Sequence, residues 1–436
     1  MFDFSKYHRA IETTETLEWA GRVTKIVGLA VEATGPASRI GDICHMYTLD
    51  GERYVRAEIV GFRDGQTLLM PFGSVEGVGL DSYVVYTGAS LRVPVGRNFV
   101  GRILDALGDP LDDLPPPEAE TWYPADNAPP NPLARDRISE VLPLGVKAID
   151  SCLTVGRGQR LGIFSGSGVG KSTLLGMMAR YAVADVNVIV LVGERGREVK
   201  DFVERDLGEE GLKKSVLVIA TSDQPALLRL KCALTGTAIA EFFRDCGYKV
   251  LLLMDSLTRF AMAQREIGMA AGEPPVSRGF PPSVYAILPK LLERSGMSDK
   301  GSITGLYTVL VEGDDLNEPI SDTVRGILDG HIVLSRAIAN SNHYPPIDIL
   351  GSVSRVMPDI ISREHMGEYG VIKNMIAVYR EAEDLINIGA YRKGANPEID
   401  RAVALHPAIQ GFLQQDVEES HTFEETLDMM ARIVGS

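Results

Sequence analysis

The run SGSGVGKST, Ser165–Thr173, constrains this chain more than any other stretch. It follows the apolar segment Leu161–Phe164 directly and opens into a helical pattern. Glycines at 166, 168 and 170 let the backbone fold so that successive N–H groups point at one anion. The helix behind them adds its positive N-terminal end. Lys171 is then placed to reach the β- and γ-phosphates of a nucleotide, and the hydroxyl of Ser172 to ligate magnesium. The candidate binding residues are Ser165, Gly166, Ser167, Gly168, Val169, Gly170, Lys171, Ser172 and Thr173. One position departs from the usual pattern, which opens with Gly where this chain has Ser165. The core Gly-x-Gly-x-Gly-Lys-Ser is intact.

The surrounding sequence supplies a matching scaffold. From Arg137 onward, apolar strands alternate with helical stretches: RLGIF, VNVIVLVG, SVLVIAT, KVLLLMDS, GSITGLYTVLVEG and HIVLSR. That alternation predicts an α/β domain with a mostly parallel sheet and crossover helices over 137–360. After about Ile361 the strands stop, and charged helical segments run to Ser436 as a C-terminal helical domain. Before it, residues 21–95 read as short strands broken by Gly and Asp-Gly, which predicts a small N-terminal β-barrel. Between the two lies 96–136, where eight of the 24 prolines fall between Asp109 and Pro132. Proline lacks the amide proton that helix or central strand needs, so this segment is expected as an extended linker. Residues 1–20 read as a short, partly amphipathic helix.

Two further carboxylates sit where phosphate chemistry wants them. KVLLLMDSLTRF delivers Asp255 to the end of a buried strand, the place from which a P-loop protein holds the water shell of magnesium. VNVIVLVGERGREV delivers Glu194 to the end of another, where a general base polarises water against a γ-phosphate. From spacing alone Glu194 is equally well part of a solvated charge run with Arg195, Arg197 and Glu198.

Composition removes several classes. Forty-four basic against fifty-nine acidic side chains give a net charge of -15, a poor balance for clamping nucleic-acid backbone. Cys44, Cys152, Cys232 and Cys246 form no CxxC pair and read as thiols in a reducing compartment. No signal-peptide stretch and no apolar run of membrane-spanning length occur. The expectation is a cytoplasmic protein that meets a membrane only by docking to something else.

The longer segments resemble a known family. RVPVGRNFVGRILDALGDPLD (92–112) resembles the hinge from barrel to ATPase domain in the hexameric motors of the rotary ATP synthase class. PPNPLARDRI (129–138), LTVGRGQRLGIFSGSGVGKSTLLGMMAR (153–180), GERGREV (193–199) and MDSLTRFAMAQREIG (254–268) resemble the flagellum-specific type III export ATPases. So do GEPPVSRGFPPSVYAILPKLLERSG (272–296) and GSITGLYTVLVEGDDLNEPISDTVRGILDGHIVLSR (301–336). The likeness runs from Gly21 to about Asp400. Flagellar relatives usually have Ala at the position of Ser165, a place that contributes mainly backbone.

The resemblance implies a RecA-like P-loop ATPase domain that uses ATP and Mg2+, with roles for individual residues. Lys171 matches the phosphate-binding lysine, Ser172 and Asp255 the magnesium site, and Glu194 the glutamate that activates water. Arg355 in SVSRV matches an arginine finger that reaches the neighbouring subunit's γ-phosphate; without the resemblance it reads as a surface arginine in a salt bridge. Tyr344 in HYPPID matches the aromatic that stacks on adenine; the plain alternative is a core tyrosine. A Glu at 194, where noncatalytic subunits of rotary synthases carry Gln, implies a catalytic protomer, and one chain with both Glu194 and Arg355 implies a homohexamer. The implied partners are further copies of the chain, a stator-like regulator at the N-terminus, a stalk-like protein in the ring channel, the export gate and chaperone–cargo complexes, with the ring peripheral at the flagellar base. Competing readings are an injectisome ATPase or rotary synthase catalytic subunit, a non-enzymatic docking subunit whose ATP only stabilises assembly, and, more distantly, a hexameric RNA helicase.

Overall fold

The computed structural model describes residues 19–435 apart from positions 312 and 314. The helix expected over 1–20 lies outside the described residues, except that Trp19 and Ala20 already belong to the first strand. Six strands form a closed barrel: β1 (Trp19–Val27), β2 (Ala30–Ala33), β3 (Asp42–Tyr47), β4 (Tyr54–Arg63), β5 (Gln66–Pro71) and β6 (Tyr83–Ser90), in the order β1-β2-β5-β4-β3-β6. Alternation along the strands turns Val31, Ala33, Cys44, Met46, Ala57 and Ile59 inward. Closure leaves no free strand edge.

The next strand departs from the sequence reading. β7 (Arg92–Val95), expected as part of the barrel, pairs instead with β9 (Thr121–Pro124) in a two-stranded ribbon. The reason is burial: Val93 and Val95 pack into the core of the central domain, not into the barrel. Within the segment expected as a plain linker, β8 (Ile103–Asp105) joins the central sheet in parallel with β12 (Ser215–Thr221), Leu104 facing Val218. Leu104 is fully buried there, which is what draws the segment in. The rest of the proline-rich stretch contains no helix longer than one turn.

The central sheet is completed by β10 (Arg160–Ser165), β11 (Val186–Glu194), β13 (Lys249–Asp255), β14 (Gly296–Met297), β15 (Ser302–Leu310), β16 (Gly330–Leu334) and β17 (Val353–Ser354). Its order is β17-β16-β10-β15-β13-β11-β12-β8, with β14 attached to β15. All neighbours run parallel except β14 and β17. Parallel strands covered on both faces must be apolar on both, and β11 shows it. Val188, Val190 and Val192 pack toward the helices Ala226–Asp245 and Leu257–Ala271. Ile189 and Leu191, on the opposite face, pack with the helix Lys171–Tyr181.

Polar contacts tie the pieces together. Lys231 of the helix Ala226–Asp245 reaches Glu58 of the barrel at 2.5 Å, both buried. Arg294 and Glu241, each about 1% exposed, form a two-pronged pair at 2.9 and 2.8 Å. Arg294 also donates to the carbonyl of Ala125 at 2.8 Å, which pins the proline-rich segment to the domain. The C-terminal helices Arg363–Asn387, Pro397–Leu413 and Phe423–Val434 pack through Ile372, Met375, Leu405, Ile409 and Met430 into the same core as the helix Lys171–Tyr181. Among the described residues, no helix is long and apolar enough to cross a membrane. All four cysteines are free thiols.

Candidate active site

The phosphate loop leaves β10 at Ser165, whose register partners are Leu310 of β15 and Leu334 of β16. Ser165 thus stands at the carboxyl edge of the sheet, where ligands of open parallel sheets bind. Gly168 and Gly170 adopt φ of 76° and 88°, a left-handed backbone that other residues enter at a cost. Gly170 caps the helix Lys171–Tyr181, and no side chain satisfies the first turn. Its amide protons are therefore available to an anion.

Two neighbouring strands bring the carboxylates to the same edge. β11 and β13 run in register with Leu191 opposite Asp255, so Glu194 extends three residues further. The ammonium of Lys171 lies 2.5 Å from Asp255 Oδ1 and 3.8 Å from Glu194 Oε1. The first contact is a charge-assisted hydrogen bond; the second is an ion pair beyond hydrogen-bonding range. Thr308 on β15 donates its hydroxyl to Asp255 Oδ1 at 2.7 Å and fixes the carboxylate from the other side. No sequence pattern marked Thr308, which acts only because β15 is the neighbour of β13.

Glu194 separates clearly from the charge run beside it. Its side chain is 13% exposed, while Arg195 and Arg197 are 74% and 91% exposed and pair with Glu198 and Asp201 on the surface. Burial, reinforced by the Asp255 carboxylate and only partly offset by Lys171, pushes the Glu194 carboxyl up to about 7. Glu194 Oε1 is buried without a hydrogen-bond partner, as are Ser165 Oγ and Arg259 Nε. Arg259, in the turn after Asp255, lies close to Gly193 and lends positive charge to Glu194. The sequence reading passed over it. Glu194 Oε1 and Arg259 Nε, on neighbouring elements, are thus open to a polar ligand.

The remaining candidates fall at different places. Ser172 is exposed at the helix start. Thr173, the next residue, is half-buried. Tyr344 is 46% exposed, and its ring lies over Gly170, within 3.6 Å of where a Cβ would stand. Tyr344 is therefore no core residue; it forms a flat wall beside the phosphate loop.

Arg355 is not at this edge. β16 follows β10 in parallel, with His331 opposite Gly162 and Leu334 opposite Ser165. β17 turns back along β16, with Ser354 opposite Gly330. Arg355 therefore emerges at the amino edge of the sheet, about 13 Å along the strand direction from the phosphate loop. Its backbone N–H donates to the Asp329 carbonyl at 3.0 Å, and its guanidinium is exposed with one long contact to the Arg325 carbonyl.

The chain matches three family models in succession. Residues 23–88 match the beta-barrel domain of the ATP synthase alpha/beta family, and 145–354 its nucleotide-binding domain. Residues 361–432 match the T3SS EscN ATPase C-terminal domain. The chain is 52% identical over 427 residues to the flagellum-specific ATP synthase of Bacillus subtilis (strain 168), covering 98% of each. It is 49% identical to the type 3 secretion system ATPase of Xanthomonas euvesicatoria, covering 95% of this chain and 93% of that one. Among solved structures, the assembled ATPase EscN of the enteropathogenic E. coli type III secretion system is 46% identical. It superposes with a TM-score of 0.90 over 95% of this chain and all of that one. EscN in complex with its central stalk EscO gives 0.88 at 45% identity, with the same coverage.

Proposed function

The chain belongs to the ATP synthase alpha/beta family, in the branch shared by flagellum-specific and type III secretion ATPases, and from that premise we propose that it is the ATPase of a flagellar protein-export apparatus. It binds ATP and hydrolyses it. The observation that carries the reading is the convergence of Lys171, Glu194 and Asp255 on one strand edge beside a glycine-rich helix start. The flagellar assignment rests on NEPISDTVRGILDGH and its neighbours, together with 52% identity to a flagellum-specific relative.

The residues divide the work as follows. Amides of Ser165–Thr173 and the helix start hold the phosphates, while Lys171 leaves Asp255 to neutralise the β- and γ-oxygens. Glu194 accepts a proton from, or strongly orients, the water that attacks the γ-phosphorus as the bond to the β–γ bridging oxygen breaks. The proton ends on Glu194 and the electron pair on ADP. The Tyr344 ring packs on adenine. Magnesium bound at Ser172 and Asp255 would draw negative charge from the phosphoryl oxygens.

Arg355 cannot serve its own site from the amino edge of the sheet. A head-to-tail neighbour can present it, and identical copies close such contacts into a ring. The assembled form of EscN and its complex with a central stalk support a homohexamer with a stalk-like partner in the channel. A stator-like regulator at the N-terminal segment, contacts with the export gate and chaperone–cargo complexes, and a peripheral place at the flagellar base complete the proposal.

Purified protein should hydrolyse ATP; a preparation that binds ATP in assembled rings without turnover would favour the docking-subunit reading. To separate flagellar from injectisome roles, the gene is expressed in strains lacking one or the other export ATPase. Restored swimming without restored injectisome secretion is the expected result, and the reverse would overturn the flagellar assignment.

A further inference from the structure

The backbone carbonyl of Tyr344 is bound by a residue far away in sequence. Gln415, in the segment after the helix Pro397–Leu413, is 5% exposed and uses every hydrogen-bonding group it has on that side. Its Oε1 accepts from the Lys147 amide at 2.8 Å, and its Nε2 donates to the carbonyls of Gly145 at 2.8 Å and Glu419 at 2.9 Å. Its own backbone N–H donates to the Tyr344 carbonyl at 2.9 Å. Two residues on, the Val417 carbonyl accepts from Arg180 Nη2 at 2.7 Å and Tyr181 Oη at 3.1 Å, both at the far end of the phosphate-loop helix. Lys147 Nζ reaches Glu419 at 3.1 Å. Residues 415–419 thus form a strap that crosses from the Tyr344 wall to the end of the helix Lys171–Tyr181.

We infer that Gln415 is the positioning residue for the base-side wall, holding Tyr344 in register with the phosphate loop so that the C-terminal helices set ATP affinity. This rests on reading Tyr344 as the residue that meets the base. The buried amide has no apolar substitute: its loss strands the Lys147 N–H and two carbonyls, and the strap loosens. Nothing in this arrangement touches Lys171, Glu194 or Asp255, so the inference is confined to the base end of the nucleotide. Phosphate binding and the chemical step stay with the loop and the strand ends.

The test compares a ligand that has a base with one that has none. In full-length protein, ATP binding and inhibition by inorganic tripolyphosphate are measured for the parent, Gln415→Ala, Gln415→Glu, Tyr344→Ala and the double variant Tyr344→Ala/Gln415→Ala. Gln415→Glu keeps the acceptor for the Lys147 amide and the side-chain volume but turns an oxygen toward the Gly145 and Glu419 carbonyls, so it breaks the strap without the cavity that alanine leaves. Loss of a stacked base contact predicts ATP affinity weaker by about tenfold. For the Gln415 single variants the tripolyphosphate constant should hold within about twofold, as should kcat at saturating ATP. In the double variant the second substitution should add little, since both act on one contact. Equal weakening of ATP and tripolyphosphate would mean a general structural role and overturn the proposal, as would full ATP affinity in Gln415→Glu and Gln415→Ala. Unchanged ATP affinity in Tyr344→Ala would instead sink the base-wall reading itself, which separates the two failures.

Discussion

Lys171 and Asp255 stand 2.5 Å apart, so the cation proposed to bind phosphate is held by the carboxylate proposed to help hold magnesium. Thr308 fixes Asp255 from the other side through a hydroxyl at 2.7 Å. Glu194, 3.8 Å from the same ammonium, stays unbonded at Oε1 and free to engage water.

Replacing Glu194 with Gln should therefore keep ATP binding and remove turnover. A positioned base contributes about 10²–10⁴-fold, so a loss of that order in kcat is expected, with the dissociation constant for ATP within a few-fold of the parent. Hydrolysis near the parent rate would show that another group activates the water.

The pH dependence follows from the burial of Glu194, whose carboxyl is pushed up to about 7. A base works only when ionised. Activity should be level above that value and fall as pH drops through it, approaching tenfold per pH unit on the acid side. The profile of kcat/KM from pH 5.5 to 9 reports it, with the residual rate of Glu194→Gln as the control. An acid limb that persists unchanged in that variant belongs to the substrate and not to Glu194.

Arg355 at the amino edge of the sheet predicts sharing between subunits. Specific activity should rise steeply with protein concentration. Arg355→Ala and Lys171→Ala should each be inactive, since a finger from outside is worth about 10³–10⁵ in rate. Mixed together they should regain some turnover, because one interface in the mixed ring joins an intact loop to an intact finger. A mixture that stays inactive although mixed rings form would remove Arg355 from that role.

The pair Arg294–Glu241 predicts a stability effect away from the site. Both groups are almost wholly buried, so Arg294→Met leaves the Glu241 carboxylate without its charged partner, with the neutral Asn127 amide at 3.2 Å, and should cost about 3–5 kcal/mol. The double change Arg294→Met/Glu241→Leu should recover much of that, measured as the urea midpoint of the central domain. Equal loss in single and double variants would mean that the Ala125 contact, not the charge, matters.

The parts of the molecule with local signatures were legible in the sequence. The barrel announced itself through short strands with tight turns, the sheet through apolar strands alternating with helices, and the loop through its glycines before Lys171. Asp255 and Glu194 could be placed because each ends a long apolar strand. What escaped had no local signature. Thr308 is one polar residue inside an apolar strand, Arg259 one charge in a helix, and Gln415 one amide after another; each acquires a role only from what packs against it. β8 and β17 were too short, at three and two residues, to show a period. The reversal of β17 came from pairing with β16, which no spacing encodes. The likeness to rotary motors supplied Arg355, and the sheet edge then explained why that arginine must look outward.

The strap over the phosphate-loop helix also fixes when the site can exist during synthesis. Lys171 and Ser172 are made early, but the Tyr344 carbonyl waits for the Gln415 amide, and Arg180 Nη2 and Tyr181 Oη wait for the Val417 carbonyl. Some 245 residues separate Ser172 from Val417, which at about 5–20 residues per second is roughly 12–50 s of translation. Throughout that interval the nascent chain carries a phosphate loop without its base wall. A truncated chain ending before residue 415 should therefore gain less thermal protection from a fixed concentration of ATP than the chain that includes the strap.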